Sequence, residues 1–121
     1  HLRIGKTGRL PLADASVDAV FSALVFHLLP PLRRHEVLRE FRRVLKPGGR
    51  AYLAEFGAPP SLVGRLNRFY ILRVWTRLVA DERHAEGLLL GRFPAECREV
   101  FPHVEVESFR GAVDLVTASA A

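Results

Sequence analysis

At 121 residues, 49% hydrophobic and 26% charged, the chain is long enough for one domain that buries about two thirds of its unfolded surface, and too short for two. A single cysteine, Cys97, excludes an internal disulfide and a multi-cysteine zinc site, and no apolar run approaches the roughly 20 residues of a bilayer span. The 18 lysines and arginines against 13 acids leave a charge of +5; they form no Lys/Arg block and no aromatic platform, so a solvated helix face is expected rather than a specific nucleic-acid groove.

Residues 1–4 are too few to read alone, and a sequence opening on His1 with no methionine reads as a piece of a longer chain. Residues 5–16 form a loop rich in Gly, Pro, Asp and Ser. Its Gly5-Lys6-Thr7 is no phosphate loop, because the earlier glycine and the following helix are both lacking. Residues 17–24, VDAVFSAL, are apolar on both faces, as in a central parallel strand. Little of the sequence upstream can pair with its other edge, and an open apolar edge invites a neighbour. Asp18, at the strand start, is expected to bond loop amides.

In residues 23–29, beyond that strand, His27 is the one titratable side chain. Its ordinary pKa suits a general base for a hydroxyl or amine; the alternative is a polar residue that fills the loop, since no acid within the stretch orients the ring. From Pro31, Val37, Leu38, Phe41, Val44 and Leu45 recur at three- and four-residue steps, with Arg33, Arg34, Arg39, Arg42, Arg43 and Lys46 mainly between them. That spacing predicts an amphipathic helix ending near Leu45. Lys46-Pro47-Gly48-Gly49 is a type II turn sequence, and residues 50–56 read as a strand covered on both sides. Helix, turn and strand complete a right-handed crossover.

Glu55, at the strand end, either contacts substrate or caps the next helix. Ser61 is placed to cap a helix to about Ala80, in which Tyr70 and Trp75 pack in the core or line an apolar pocket. Residues 81–91 show no clear period. Phe93-Pro94 opens a short helix to Phe101 with Cys97 inside. Val104, Val106 and Phe109 mark a strand, Arg110-Gly111 a turn, and residues 113–119 a last strand.

Several of these pieces resemble class I S-adenosylmethionine-dependent methyltransferases, of the type that includes ubiquinone-menaquinone C-methyltransferases. They are Leu10-Pro11-Leu12, the acidic loop of residues 13–16, Val17-Asp18-Ala19-Val20, and the run from Arg43 through Pro47-Gly48-Gly49 to Arg50. The resemblance is close over about residues 5–56. It implies an α/β fold, the C-terminal half of a Rossmann-like doubly wound sheet closing with an antiparallel hairpin. Residues 1–121 would then be one partial domain without the glycine-rich N-terminal half, and alone it is expected to bind cofactor weakly or not at all. The resemblance further implies methyl transfer from S-adenosylmethionine to a small-molecule acceptor; no metal is expected, and the lone cysteine makes a reducing cytoplasm the default setting. Cofactor contacts carry over to Gly5, Lys6 and Thr7 for the adenine and to Ala23 and Leu24 for the methionine part. Lys6 departs from the usual Asp or Asn, because an ammonium donates but does not accept. His27 is the candidate catalytic residue, and Glu55, Tyr70 and Trp75 are candidates for the acceptor pocket. A second reading is a non-catalytic module that pairs with another chain through the edge at residues 17–24.

Overall fold

Pro31 opens the first helix at a position where a missing N–H breaks no bond, and Pro30 before it holds an extended backbone (φ −63°, ψ 154°). In the computed structural model, which describes residues 8–57, 66, 92–109 and 113–120, this helix, α1, spans Pro31–Val44. It connects two parallel strands, β1 (Val17–Ala23) and β2 (Leu45–Phe56). The sequence places the start of β2 at Arg50; it begins at Leu45 because the turn is taken inside the strand. Register passes from Val17↔Leu45 to Ala19↔Arg50, so β1 advances two residues while β2 advances five. The surplus is the Lys46-Pro47-Gly48-Gly49 bulge. Gly48 has φ +79°, as the third position of a type II turn requires. A Cβ at Gly49 would lie 2.9 Å from the Lys46 carbonyl and 3.1 Å from that of Asp18.

After α2 (Phe93–Val100), β3 (His103–Phe109) and β4 (Val113–Ser119) form the expected antiparallel hairpin. β4 lies between β2 and β3, giving the sheet order β1-β2-β4-β3. The fold class predicted from sequence is the one observed, an α/β layer with a parallel start and an antiparallel close. The helix expected at residues 61–80, the stretch at 81–91, the turn at Arg110-Gly111 and residues 1–4 lie outside the described residues.

Both helices pack on one face of the sheet. Ala51 and Leu53 of β2 and Val116 and Ala118 of β4 point to that face, meeting Val37, Leu38 and Phe41 of α1 and Cys97 and Val100 of α2. Phe26 stands edge-on to Phe41 (6.1 Å between centroids) and against Phe93 (4.8 Å). Arg43 ties the preceding loop to α1: it pairs with Asp14 and Glu40, and Glu40 accepts the Leu10 N–H at 2.8 Å. Asp18 departs from its expected role, since its side chain is exposed and pairs with Lys46 Nζ at 3.0 Å instead of bonding loop amides. The two borders of the described sheet differ. β3 carries exposed Glu105 and Glu107, charges that discourage edge pairing. β1 carries no charge beyond Asp18, and its Phe21 is 76% exposed, stacked on Tyr52. Among the described residues no helix is long and apolar enough to cross a membrane.

Candidate active site

Parallel pairing brings the carboxyl ends of β1 and β2 side by side, with Ala23 opposite Ala54. In open α/β sheets this end, beyond the strands, is where ligands collect. Leu24 donates its N–H to the Ala54 carbonyl at 2.8 Å and then turns out of the strand with φ +52°. For a leucine that conformation costs about 1 to 2 kcal/mol. The turn leads through Val25 into a single 3-10 turn, Phe26–Leu28, that buries Phe26 and His27 while Ala23, Leu24, Val25 and Leu28 remain exposed. The two positions implied for the methionine part of the cofactor thus sit at an accessible strand end, one with a methyl side chain and one on strained backbone.

What holds this turn is Glu55, 1% exposed at the end of β2. Its Oε2 accepts the backbone N–H of Phe26 at 2.8 Å and, more weakly, of His27 at 3.4 Å. Its Oε1 accepts the N–H of Phe56 at 3.0 Å and lies 3.0 Å from Nδ1 of His27. Edge-on contact with Phe56, 5.1 Å between centroids, fixes the other side of the imidazole. The buried Glu55 carboxylate thus caps the turn before α1 and holds the His27 ring, while the helix expected after β2 lies outside the described residues. The orienting acid that residues 23–29 lack comes from the neighbouring strand. Its signal in the sequence is phase, because Glu55 continues the inward set Ala51, Leu53.

A second buried acid went unpredicted. Asp114 of β4, 7% exposed, is the register partner of Glu55 of β2 and of Ser108 of β3, and accepts the Ser108 hydroxyl at 2.7 Å. A Cβ on Gly57 would overlap the Asp114 carboxylate. Ser108, Asp114, Glu55 and His27 make a polar row that closes the core at the carboxyl end of β2. Asp114 too shares its phase with inward residues, Val116 and Ala118. Gly5, Lys6, Thr7, Tyr70 and Trp75 lie outside the described residues, and no group of His, Cys, Asp and Glu among the described residues is arranged to hold a metal. Beside this end, between the outer side of β1 and α1, lies an open, mostly apolar hollow of about 750 Å³ lined by Leu10, Val20, Val25, Phe26, Val37 and Phe41 among others.

Residues 1–53 match the family described as a methyltransferase domain. Over 94 residues the chain is 37% identical to a demethylmenaquinone methyltransferase of Thermotoga maritima, covering 76% of this chain and 37% of that protein. It is 46% identical over 57 residues to the ubiquinone/menaquinone biosynthesis C-methyltransferase UbiE of Rubrivivax gelatinosus, covering 47% and 22%. Its first 53 residues thus carry the similarity to a methyltransferase domain, and these two curated relatives are methyltransferases of quinone biosynthesis by name. Among solved structures, one described as an S-adenosylmethionine-dependent methyltransferase, possible histamine N-methyltransferase, from Thermotoga maritima superposes with a TM-score of 0.67 over 97% of this chain and 62% of that one. At 16% identity that likeness speaks for the methyltransferase fold alone. The chain spans well under half the length of the two curated methyltransferases.

Proposed function

We propose that this chain serves methyl transfer from S-adenosylmethionine to a small-molecule acceptor at the joint carboxyl end of β1 and β2. The observation that carries the reading is the juxtaposition there of exposed Ala23 and left-handed Leu24 with a histidine whose ring is held by a buried carboxylate. The backbone suits the group in one respect: a small side chain at Ala23 and an outward turn at Leu24 leave room along the strand end. Gly5, Lys6 and Thr7 take the adenine, and Ala23 and Leu24 take the methionine part.

The cofactor, when bound, supplies an electrophilic methyl on a sulfonium. The chain's own part is to align the acceptor, exclude water and receive a proton. Oriented proximity of this kind lowers barriers by about 7 to 11 kcal/mol. His27 is the proposed base, and Tyr70 and Trp75 the proposed apolar wall against the acceptor. The names of the two relatives point to a quinone-type ring as the acceptor class, which an apolar wall would suit.

The test is calorimetric binding of S-adenosylhomocysteine to the full-length gene product, wild type and Ala23→Arg. Binding in the wild type and its loss in the folded variant support the reading. Absence of binding in the wild type, or equal binding in both, overturns it.

A further inference from the structure

The Glu55 carboxylate is surrounded by donors. Three of its four contacts are backbone N–H groups, from Phe26 and His27 on Oε2 and from Phe56 on Oε1. A backbone N–H only donates, so this arrangement suits an ionised carboxylate that only accepts. The fourth contact, Nδ1 of His27 at 3.0 Å, must then bring its own hydrogen. A neutral imidazole protonated at Nδ1 keeps its lone pair on Nε2. Nε2 has no hydrogen-bond partner among the described residues. Since no fully buried side-chain nitrogen or oxygen among them lacks a partner, Nε2 is not fully enclosed and holds part of the 7% exposure of the His27 side chain.

We infer that Glu55 is a positioning residue: it fixes His27 as the Nδ1–H tautomer and so presents Nε2, unprotonated, as the base at the carboxyl end of the sheet. The inference deepens the proposed methyl transfer and rests on that reading for its use. It also narrows the acceptor to a molecule with a removable proton on the reacting atom, an O–H, an N–H or the C–H of an enol-forming ring. The proton passes to the Nε2 lone pair, and the electron pair it leaves stays on the acceptor as the nucleophile. The imidazolium that results remains beside the Glu55 carboxylate, which accepts from Nδ1–H throughout. An aprotic acceptor makes no use of this arrangement.

The experiment is nitrogen-15 NMR of the labelled full chain, at a pH above the titration of its histidines and without cofactor. The expected pattern for His27 is a hydrogen on Nδ1 and none on Nε2; the reverse overturns the inference. In Glu55→Gln the amide NH2 must face either Nδ1 or the backbone N–H groups, so the Nδ1–H signal is expected to weaken or pass to Nε2. An unchanged signal in that variant shows that Glu55 does not set the tautomer. Should Glu55→Gln not fold, Glu55→Asp keeps the charge but withdraws the oxygens by one methylene. Faster solvent exchange of the Nδ1 hydrogen is then expected, and unchanged exchange overturns the role of Glu55. Failure of S-adenosylhomocysteine to bind would leave these NMR patterns intact, so the two proposals fail separately.

Discussion

Arg34 of α1 and Glu96 of α2 meet through two parallel N–H···O bonds, 2.8 Å from Nε to Oε2 and 2.7 Å from Nη2 to Oε1. The Arg34 side chain is 3% exposed, and its Nη1 donates to the Leu29 carbonyl at 3.0 Å. One side chain thus joins the two helices to the segment that follows His27. Glu96→Gln keeps the shape but removes the charge that balances a buried cation, and is expected to cost about 3 kcal/mol in urea unfolding. The double replacement Arg34→Met, Glu96→Leu should cost much less, because neither charge is then buried. A Glu96→Gln loss below about 1 kcal/mol would show that the pair is solvated in solution.

Phe26, Phe41 and Phe93 form the aromatic centre under the sheet, but they are not equally enclosed. Phe26 is 1% exposed and Phe41 is 7% exposed, and both border the open hollow beside β1. Phe26 touches both other rings, so truncating it removes more packing. Phe→Ala at a buried site costs about 3 to 5 kcal/mol. Phe26→Ala is expected near the top of that range and Phe41→Ala near the bottom, read from urea midpoints at constant m-value. A cost below about 1 kcal/mol for Phe41→Ala would mean that the buried face of α1 is assigned wrongly.

The elements legible in the sequence are those whose causes are local. The three- and four-residue recurrence of Val37, Leu38, Phe41 and Val44 and the stop at Pro47-Gly48-Gly49 determine α1 and its crossover, and both are found where the pattern puts them. What local pattern cannot supply is adjacency. Residues 103–119 announce a hairpin, but nothing in their alternation says that β4, rather than β3, takes the place beside β2. For the same reason Glu55 reads as a group at a strand end facing a loop of its own. Only the parallel register shows that the end of β2 lies against the turn after β1, 28 residues earlier in sequence for the His27 ring. The bulge that lengthens β2 to Leu45 likewise depends on β1 being alongside.

Gly57 and Asp114 occupy the same space in alternation: the carboxylate fills the volume that a Cβ at residue 57 would need. Gly57→Ala must therefore push Asp114 off its bond to Ser108, at a cost of about 1 to 3 kcal/mol typical of an overpacked site. The double-mutant cycle with Asp114→Ala isolates this cause. In the Asp114→Ala background the same glycine replacement is expected to cost less than about 0.5 kcal/mol. Equal costs in both backgrounds would trace the effect to backbone conformation instead.

The bond from Arg43 holds the Glu40 carboxyl below its ordinary range, assisted by the Leu10 N–H and opposed by burial. A carboxyl lowered in the folded state contributes stability that is present above its unfolded value of 4.5 and is lost as pH falls through the folded one. Acidification below about pH 4.5 should therefore cost the wild type more than Arg43→Met, in which Glu40 loses its main partner. Parallel urea midpoints for the two proteins between pH 6 and 3, on the order of the usual carboxylate range, would rule out that coupling.

Cys97 supplies the opposite case at high pH. The side chain is fully buried among Phe93, Val100 and Phe101, and burial, with a smaller push from Glu96 and an opposing pull from Arg98, raises its thiol from 9.0 to about 12. A group raised in the folded state contributes stability that is complete below its unfolded pKa and disappears as pH rises through the folded value. The window for Cys97 accordingly opens near pH 9 and closes near pH 12. Over that window the urea midpoint of the wild type should fall further than that of Cys97→Ala. The comparison is informative because tyrosines, lysines and the remaining charges titrate alike in both proteins. The same burial makes the folded thiol inert, since the thiolate is the reactive form. Iodoacetamide at pH 8, about one unit below that window, should label Cys97 only after denaturant is added. Labelling of the folded chain at the rate of a free thiol would mean that α2 does not stay packed on the sheet.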